Sequence, residues 1–295
     1  VLGNFTSVVD NPAVATEHEV NLSGLTADSI YYYAVGTTAE ILAGNDTTHF
    51  FLTAPPVGVP KPTRIWVLGD SGTANANAQA VRDAYYTFTG PRHTDLWLML
   101  GDNAYGDGTD REYQRAVFST YPTMLRKSVL WPTLGNHDGH SANSGAQSGP
   151  YYNIFTLPRN AEAGGLASGT EAYYSFDYGN IHFIVLDSSE TDRSPGGAMM
   201  TWLTDDLLAT SQDWIIAYWH HPPYTKGSHN SNREKEPVKM RRYALPILED
   251  LGVDLVLAGH SHSYERSFLL DGHYGTSRTL APSMILNNGD GRPAG

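Results

Sequence analysis

Seven residues with metal-binding side chains lie shortly after apolar runs of the sequence. They contribute carboxylate, phenol, amide and imidazole groups, and they are Asp70, Asp102, Tyr105, Asn136, His220, His260 and His262. A two-metal hydrolase requires such a set, because a bridging carboxylate and terminal oxygen and nitrogen ligands must surround two ions about 3.5–4 Å apart. A single Gly-Asp is usually only a turn. The joint occurrence of five such segments predicts a dinuclear metal site.

The elements that must position these residues alternate between strands and helices from Arg64 onwards, which is typical of an α/β layer. Strands are predicted at 64–68, 95–100, 129–134, 214–219 and 255–257, and helices at 74–88, 110–127, 199–210 and 237–251. In open α/β sheets, ligands bind where the carboxyl ends of the strands converge. The scattered candidate ligands are therefore expected to meet at one edge of the sheet.

The remaining segments of this region are predicted in less detail. Residues 173–178 and 181–186 form a hairpin across Gly179-Asn180. Residues 263–270 and 283–286 are predicted as late strands, and the Gly-rich and Ser-rich stretch 139–170 is left unassigned as a loop near the site.

The N-terminal stretch has a different character, rich in Thr, Val and Tyr and without helical periodicity. Strands are predicted at 19–22, 30–35 and 48–53, which is too little for a whole β-sandwich of roughly 100 residues. We therefore interpret residues 1–57 as the second half of a β domain, 58–62 as a proline-rich linker and 63–295 as the catalytic domain.

Composition excludes several classes of function. The 295 residues carry a net charge of −12, which argues against a general binder of nucleic acid or membrane surfaces, since both are polyanions. The sequence contains no cysteine, so disulfides, thiolate zinc sites and a cysteine nucleophile are excluded. No apolar run approaches the roughly 18 residues that a membrane span requires.

The five segments together resemble the purple acid phosphatases, within the calcineurin-like metallophosphoesterase superfamily. The matching pattern is Gly69-Asp70-x-Gly72, Gly101-Asp102-x-x-Tyr105, Gly135-Asn136-His137-Asp138, Ala217-x-x-His220 and Gly259-His260-x-His262. It departs from the family only at Ala217, where valine is usual. The resemblance implies an α/β fold in which a two-sheet β-sandwich is flanked by helices. The tyrosine-rich N-terminal piece resembles the end of a fibronectin-III-like domain.

The resemblance also implies how the ligands divide between two metals. Metal 1, Fe³⁺, would be held by Asp70, Asp102, Tyr105 and His262. Metal 2, which would be Fe²⁺, Zn²⁺ or Mn²⁺, would be held by Asp102, Asn136, His220 and His260. Most of the superfamily has a histidine ligand where this sequence has Gly72, and Tyr105 would replace it. A phenolate is a hard anionic donor that suits ferric iron.

Four further residues are candidates for roles around the metals. His137 and His229 are candidate proton donors to the leaving alkoxide, although a solvated loop histidine is the simpler alternative for His229. Asp138 would orient His137 or a metal ligand. His221 is a candidate for a residue that supports the ligands or contacts the substrate.

The function implied is hydrolysis of a small phosphate monoester, an acid phosphatase reaction in which Asp102 bridges the metals and a metal-activated hydroxide attacks phosphorus. A phosphodiesterase or nucleotide pyrophosphatase with the same metals is the first alternative. A cell-surface protein that binds metal without turnover is the second. The family resemblance favours a secreted, periplasmic or otherwise extracytoplasmic protein. With the composition, we expect no nucleic-acid partner and no membrane span, and the oligomeric state stays open.

Overall fold

The computed structural model describes residues 5–287, and its N-terminal part contains two small antiparallel sheets. Strand β1 (Ile30–Tyr32) pairs with β4 (Phe50–Leu52), and β2 (Ala34–Gly36) pairs with β3 (Ile41–Gly44). The predicted strand at 19–22 is wrong, because this stretch is exposed and pairs with no strand of the described chain. The predicted strand at 30–35 divides at Tyr33 between two different partners. Residues 1–4 and 288–295, the outer ends of the first and last predicted domains, lie outside the described residues.

The small sheets contact the larger body through a few specific interactions. The Tyr33 hydroxyl donates a hydrogen bond of 2.9 Å to the carbonyl of Arg126, and the Phe50 ring lies 5.5 Å from the ring of His93. The Gly58 N–H, in the proline-rich segment, donates to the carbonyl of Gly179 at 2.8 Å. The segment at 54–62 is therefore held against the body.

Three parallel strands form the first sheet of the body. They are β5 (Ile65–Leu68), β6 (Leu96–Met99) and β7 (Val129–Pro132), in that order. The register places Leu68 beside Met99 and Met99 beside Pro132, so the carboxyl ends of the strands are level. The turns after all three strands consequently open on the same edge.

Four strands form the second sheet, in the order β11-β10-β9-β8. The strands β8 (Tyr174–Tyr178) and β9 (Ile181–Val185) form the predicted antiparallel hairpin. Strand β10 (Trp214–Trp219) pairs in parallel with β9, and β11 (Leu255–Ala258) pairs in parallel with β10. Most positions of β9 and β10 are buried, which agrees with their largely apolar sequences.

The two sheets pack face to face, which confirms the predicted α/β sandwich. The rings of Trp131 and Phe176 stack across the interface with centroids 3.9 Å apart and planes 7° apart. The Tyr174 hydroxyl donates to the carbonyl of Pro132 at 2.7 Å, which ties the second sheet to the end of β7. Aromatic contact of this kind adds to the burial of apolar area that holds the layers together.

Helices flank the sheets, and two of the predicted helices are interrupted. The α-helices are α1 (Ala76–Thr89), α2 (Asp110–Tyr113), α3 (Pro122–Leu125), α4 (Pro150–Ile154), α5 (Ala198–Ala209), α6 (Lys235–Lys239) and α7 (Leu245–Asp250). The predicted helix 110–127 becomes α2, a π-helix at Gln114–Phe118 and α3, because Pro122 disfavours helical geometry at Tyr121. The predicted helix 237–251 contains a π-helix at Met240–Ala244 between α6 and α7.

The C-terminal part is less regular than predicted. Of the predicted strand 263–270, only β12 (Leu269–Leu270) is regular, and it pairs with β13 (Ile285–Asn287). The carboxylate of Glu265 instead accepts hydrogen bonds from Thr225 and from the Lys226 N–H, which holds its segment beside another loop. Short 3₁₀ helices lie at Asp138–His140, Ser277–Thr279 and Pro282–Met284, and the last of these delays the predicted strand at 283–286.

A buried histidine joins α5 to the hairpin of the second sheet. His182 is fully buried, and its Nδ1 lies 2.8 Å from Asp177 and its Nε2 2.9 Å from Asp206. Burial would lower the pKa of His182, but hydrogen bonds and charge from the two carboxylates outweigh it and raise the pKa to about 9.

We expect this cluster to make stability depend on pH in the alkaline range. The imidazolium contributes fully below the ordinary histidine pKa of about 6.5, and its contribution of roughly 3 kcal/mol is lost as the pH rises through the folded pKa. Urea unfolding at pH 6, 7.5 and 9 measures this slope. The slope should nearly disappear in His182→Gln and persist in His49→Gln, whose histidine pairs with the exposed Asp46. An equal slope in all three proteins would contradict the assignment.

Candidate metal centre

Four of the predicted ligands have left-handed backbone conformations at the strand ends. Asp70 follows β5 with a φ of 55°, and Asp102 follows β6 with a φ of 52°. After β11, His260 and His262 have φ values of 68° and 49°. Each such residue costs about 1–3 kcal/mol and persists only where the surroundings determine it, which is typical of functional sites.

Two glycines allow the ligand turns and neighbouring side chains to approach one another closely. A Cβ at Gly101, which has a φ of 86°, would lie 2.6 Å from Nδ1 of His220. A Cβ at Gly72 would lie 2.5 Å from the backbone N of Ala104. Position 72 therefore has no room for any side chain, and the adjoining turn at 103–105 occupies the space where a histidine ligand would begin.

The first group of ligand atoms joins Asp70, Tyr105 and His262. The Tyr105 hydroxyl lies 3.1 Å from Oδ1 of Asp70 and 3.1 Å from Nε2 of His262, and these last two atoms are 3.4 Å apart. The backbone N–H of His260 donates to the other oxygen of Asp70 at 2.6 Å, so one carboxylate oxygen is anchored and the other faces the group.

The second group joins Asp102, Asn136, His220 and His260 around Nε2 of His220. This nitrogen lies 3.1 Å from Oδ1 of Asn136, 3.2 Å from Nδ1 of His260 and 3.4 Å from Oδ1 of Asp102. Asp70, Asp102 and His220 also present ligand atoms within 4.8 Å of one another. Asp102 consequently lies between the two groups, where a bridging carboxylate is expected.

The donor set fits cations. Nδ1 of His220 lies 2.8 Å from the carbonyl of Leu100 and donates its proton to it, so in the neutral ring Nε2 would present its lone pair to a bound ion. Around that lone pair stand the carboxylate and amide oxygens of the second group. Electron pairs that face each other at this distance repel unless a cation lies among them, and an oriented imidazole is typical of metal ligation.

Burial and neighbouring charges shift the pKa values of the acidic groups in the site. Burial raises the pKa of Asp70. Burial would do the same to Asp102, but the charge and hydrogen bond of His220 and the His137 N–H outweigh it and hold the pKa of Asp102 below its usual range. Burial and the nearby carboxylates Asp70 and Asp102 raise the pKa of the Tyr105 phenol far above normal. Only a strongly charged cation would make that phenol a phenolate.

His137 lies at the open rim of the site. Its backbone N–H donates to Oδ1 of Asp102 at 2.9 Å, and its Nδ1 lies 2.5 Å from the carbonyl of Gly106. Its Nε2 is 3.9 Å from Oδ2 of Asp102, and about a third of its side chain, 34%, is exposed. The ring is therefore fixed by one nitrogen and free to meet a substrate with the other.

Asp138 is fully buried and contacts the loops of two predicted ligands rather than the ring of His137. Its Oδ2 accepts hydrogen bonds from the backbone N–H of Asn103, from the Asn103 side chain and from the Gly135 N–H, at 3.2, 3.0 and 2.9 Å. Its Oδ1 accepts from the Tyr113 hydroxyl at 2.6 Å. Because Asn103 follows Asp102 and Gly135 precedes Asn136, this carboxylate holds both ligand turns together.

His221 is buried behind the second group. Its Nδ1 lies 2.9 Å from the hydroxyl of Ser188, and its ring centroid is 4.4 Å from that of His260 and 4.9 Å from that of His220. Burial, with the charges of His220 and His260, lowers the pKa of His221 and keeps the imidazole neutral. Its position is that of a packing support for the ligands.

His229 approaches the site from the loop after β10, together with an acidic residue that sequence reasoning missed. The His229 ring stacks on that of His260 with centroids 3.6 Å apart. Glu234 lies 2.9 Å from Nδ1 of His229 and 3.5 Å from Nε2 of His260. The only signal for Glu234 in the sequence is its position five residues after His229, and such a spacing within a loop does not fix a contact.

The fold and the site together define an α/β protein with a candidate dinuclear metal centre. Comparison with protein families agrees, since residues 63–264 match the calcineurin-like phosphoesterase family. The chain belongs to that family, which confirms the superfamily that the sequence pattern indicated.

Within this family, the relatives with similar sequences include purple acid phosphatases. The chain is 29% identical over 278 residues to purple acid phosphatase 15 of Arabidopsis thaliana, an alignment that covers 85% of this chain and 49% of that protein. It is 28% identical over 262 residues to a purple acid phosphatase of Glycine max, covering 85% of this chain and 52% of that protein. The chain thus spans about half the length of these curated relatives.

A solved structure supports the fold alone. The structure of PhoD matches with a TM-score of 0.54 at 16% identity, covering 80% of this chain and 57% of that chain. Within residues 5–287, no helix is both long enough and apolar enough to cross a membrane.

Proposed function

We propose that the protein is a dinuclear-metal hydrolase of phosphate monoesters, an acid phosphatase. The observation that carries this proposal is the pair of ligand groups that meet at Asp102, one of which contains the phenol of Tyr105. Asp70, Asp102, Tyr105 and His262 would hold metal 1, and Asp102, Asn136, His220 and His260 would hold metal 2. When bound, the two ions supply the positive charge that polarises a phosphate group and ionises water.

Iron is the metal that best suits the first position. The Tyr105 oxygen is the one phenol among the predicted ligands, and a hard anionic oxygen favours Fe³⁺ over softer or less charged ions. The second group combines imidazoles with carboxylate and amide oxygens, which suits Fe²⁺, Zn²⁺ or Mn²⁺.

The proton that the leaving alkoxide requires is assigned to His137 or His229. Both rings lie beside the ligand groups and are partly exposed, and one nitrogen of each is held by the carbonyl of Gly106 or by Glu234. An imidazole fixed in this way can present its other nitrogen to the leaving oxygen. Asp138 and His221 support the ligands without contact to the reacting atoms.

The setting of the catalytic region is part of the same proposal. We assign residues 63–295 to the catalytic domain, 58–62 to a linker and 1–57 to the end of a fibronectin-III-like domain. The assignment rests on the small sheets that precede β5 and on the resemblance of their sequence to the end of a fibronectin-III-like domain. A small phosphate ester as substrate and an extracytoplasmic location follow from the similarity to purple acid phosphatases.

A visible spectrum and metal analysis test the metal assignment. In the oxidised protein expressed with iron, we expect two bound metals and a charge-transfer band from the phenolate to Fe³⁺. In Tyr105→Phe the band should disappear, because the phenol oxygen is its electron donor, whereas Tyr85→Phe, a tyrosine outside the site, should keep it. Two metals without a visible band in the parent protein would contradict iron at the first position.

Hydrolysis assays test the reaction. We expect the metal-loaded protein to cleave p-nitrophenyl phosphate faster than bis(p-nitrophenyl) phosphate, because a monoester presents a third unesterified oxygen and a second negative charge to the two metal positions. A preference for the diester would move the assignment to a phosphodiesterase. Tight binding of two metals with no cleavage of either ester would favour a metal-containing binding protein.

A further inference from the structure

The loop that carries His229 is closed by its own hydrogen bonds. We call residues 222–232 the histidine loop. Within it, the Thr225 N–H donates to the Ser231 hydroxyl at 2.9 Å, and this hydroxyl donates to the carbonyl of Thr225 at 3.2 Å. The Ser228 N–H donates to the carbonyl of Ser261, between the two histidines of the last ligand segment, at 3.1 Å. The loop is thus a compact unit placed against that segment.

A buried arginine holds both ends of this loop. Arg241 is only 2% exposed, and its Nη1 donates to the carbonyl of Pro223 at 2.8 Å and to that of Ser231 at 2.7 Å. Its Nε donates to the carbonyl of Tyr274 at 3.3 Å. Among residues 5–287 it has no carboxylate partner within 4 Å, so its hydrogen-bonding capacity is directed to backbone carbonyls.

The helix that carries Arg241 is shaped to place it there. Met240–Ala244 is a π-helix, and the Leu245 N–H bonds to the carbonyl of Met240, five residues earlier. Pro246 explains this widening, because its ring lacks an N–H and crowds the carbonyl four residues before it. π-Turns inside α-helices often occur at functional sites. Here the turn buries Arg241 and leaves Arg242 exposed.

Burial of a guanidinium is costly, and it is compensated only by well-formed hydrogen bonds. Bonds from a charged donor are roughly twice as strong as neutral ones, and the planar fork of arginine bonds in fixed directions, which a lysine cannot reproduce. These properties suit a group that must keep two chain segments in one position. Pro223 lies three residues after His220, and Ser231 lies two residues after His229.

We propose that Arg241 is a positioning residue that fixes the two ends of the histidine loop and thereby keeps His229 against His260. The inference rests on the proposed function, since it assigns to His229 a part in the reaction. Arg241 itself touches neither the ligand atoms nor the substrate.

A double-mutant cycle tests whether Arg241 acts through His229. Arg241→Lys should lower kcat/KM for a phosphate monoester by up to ~100-fold, the effect of misplacing a reacting group by about 1 Å. The matched control Arg242→Lys, on the exposed side of the same turn, should leave it nearly unchanged. In a His229→Ala background, Arg241→Lys should add little further loss, because the group that it positions is absent. Additive losses, or an equal loss in the control, would overturn the proposal.

Hydrogen exchange provides a readout that does not depend on turnover. In Arg241→Lys, the backbone amides of residues 224–231 should exchange faster than in the parent and in Arg242→Lys, with bound metal unchanged. Unchanged exchange in the loop would refute the inference even in an active enzyme. If the parent protein cleaves no phosphate ester, the proposed function is refuted instead. The exchange result then still tests whether Arg241 holds the loop.

A second variant covers the case in which Arg241→Lys does not fold. Ser231→Ala removes the hydroxyl that closes the histidine loop and leaves Arg241 in place. It should accelerate exchange in the same residues and show the same non-additivity with His229→Ala. Independent, additive effects of Ser231→Ala would count against a loop that positions His229.

Discussion

Replacing Asp102 with asparagine is expected to weaken binding of both metals by more than about 100-fold and to abolish hydrolysis. Changes to residues that only support a metal ligand typically cost 10–100-fold in affinity. Asp102 lies between the two ligand groups and is nearly completely buried, so the loss of its charge affects both positions. The asparagine would also place an N–H where Oδ1 now accepts from His137 or where Oδ2 faces the site.

Metal content after dialysis and kcat/KM at saturating metal measure this effect. The matched control is Asp107→Asn, in the same loop, since Asp107 is exposed and its carboxylate pairs with His140 rather than with a predicted ligand. The control should retain both metals. Retention of two metals and of activity in Asp102→Asn would refute the bridging role, whereas equal losses in both variants would show that the turn as a whole is sensitive to charge.

Replacing Asp138 with alanine is expected to destabilise the fold by about 3 kcal/mol or more. The change strands the N–H groups of Asn103 and Gly135 and the hydroxyl of Tyr113 in a buried space, and each stranded polar group costs about 1–3 kcal/mol. Because these groups belong to the turns of Asp102 and Asn136, metal affinity should also fall by about 10–100-fold.

Urea unfolding in the presence of a chelator isolates the contribution of Asp138 to the fold from that of bound metal. Tyr113→Phe is the matched control, because it removes one of the four hydrogen bonds and leaves the other three. We expect it to cost about 1 kcal/mol, the usual net value of one hydrogen bond. If both variants lost the same stability, the carboxylate would not be the centre of this network.

The ends of the strands in the two larger sheets could be predicted because two independent signals coincide there. An apolar run such as 96–99 indicates a buried strand, and the Gly-Asp that follows it marks a turn, so Asp102 could be placed before the structure was known. The α/β sandwich followed from the alternation of such runs with helical periods. The candidate ligands then met at one edge because parallel strands end level.

The other features depend on contacts between distant segments, which local patterns do not encode. The break at Met240–Ala244 follows from Pro246 only once the helix is packed with Arg241 inward. The sequence left open whether Asp138 orients His137 or a metal ligand, and its four hydrogen bonds come instead from Asn103, Gly135 and Tyr113. The stretch 19–22 has the composition of a strand, yet it pairs with no strand of the described chain.

Each group of ligand atoms is assembled from both halves of the chain. Asp70 and Tyr105 come from the first sheet and its turns, and their partner His262 follows the last strand of the second sheet. In a chain without cysteine, two bound ions would thus act as non-covalent cross-links between the sheets. Ions present at 1,000 times their dissociation constant add about 4 kcal/mol to the folded state. The bound ions would therefore stabilise the packing of the two sheets in addition to supporting the reaction.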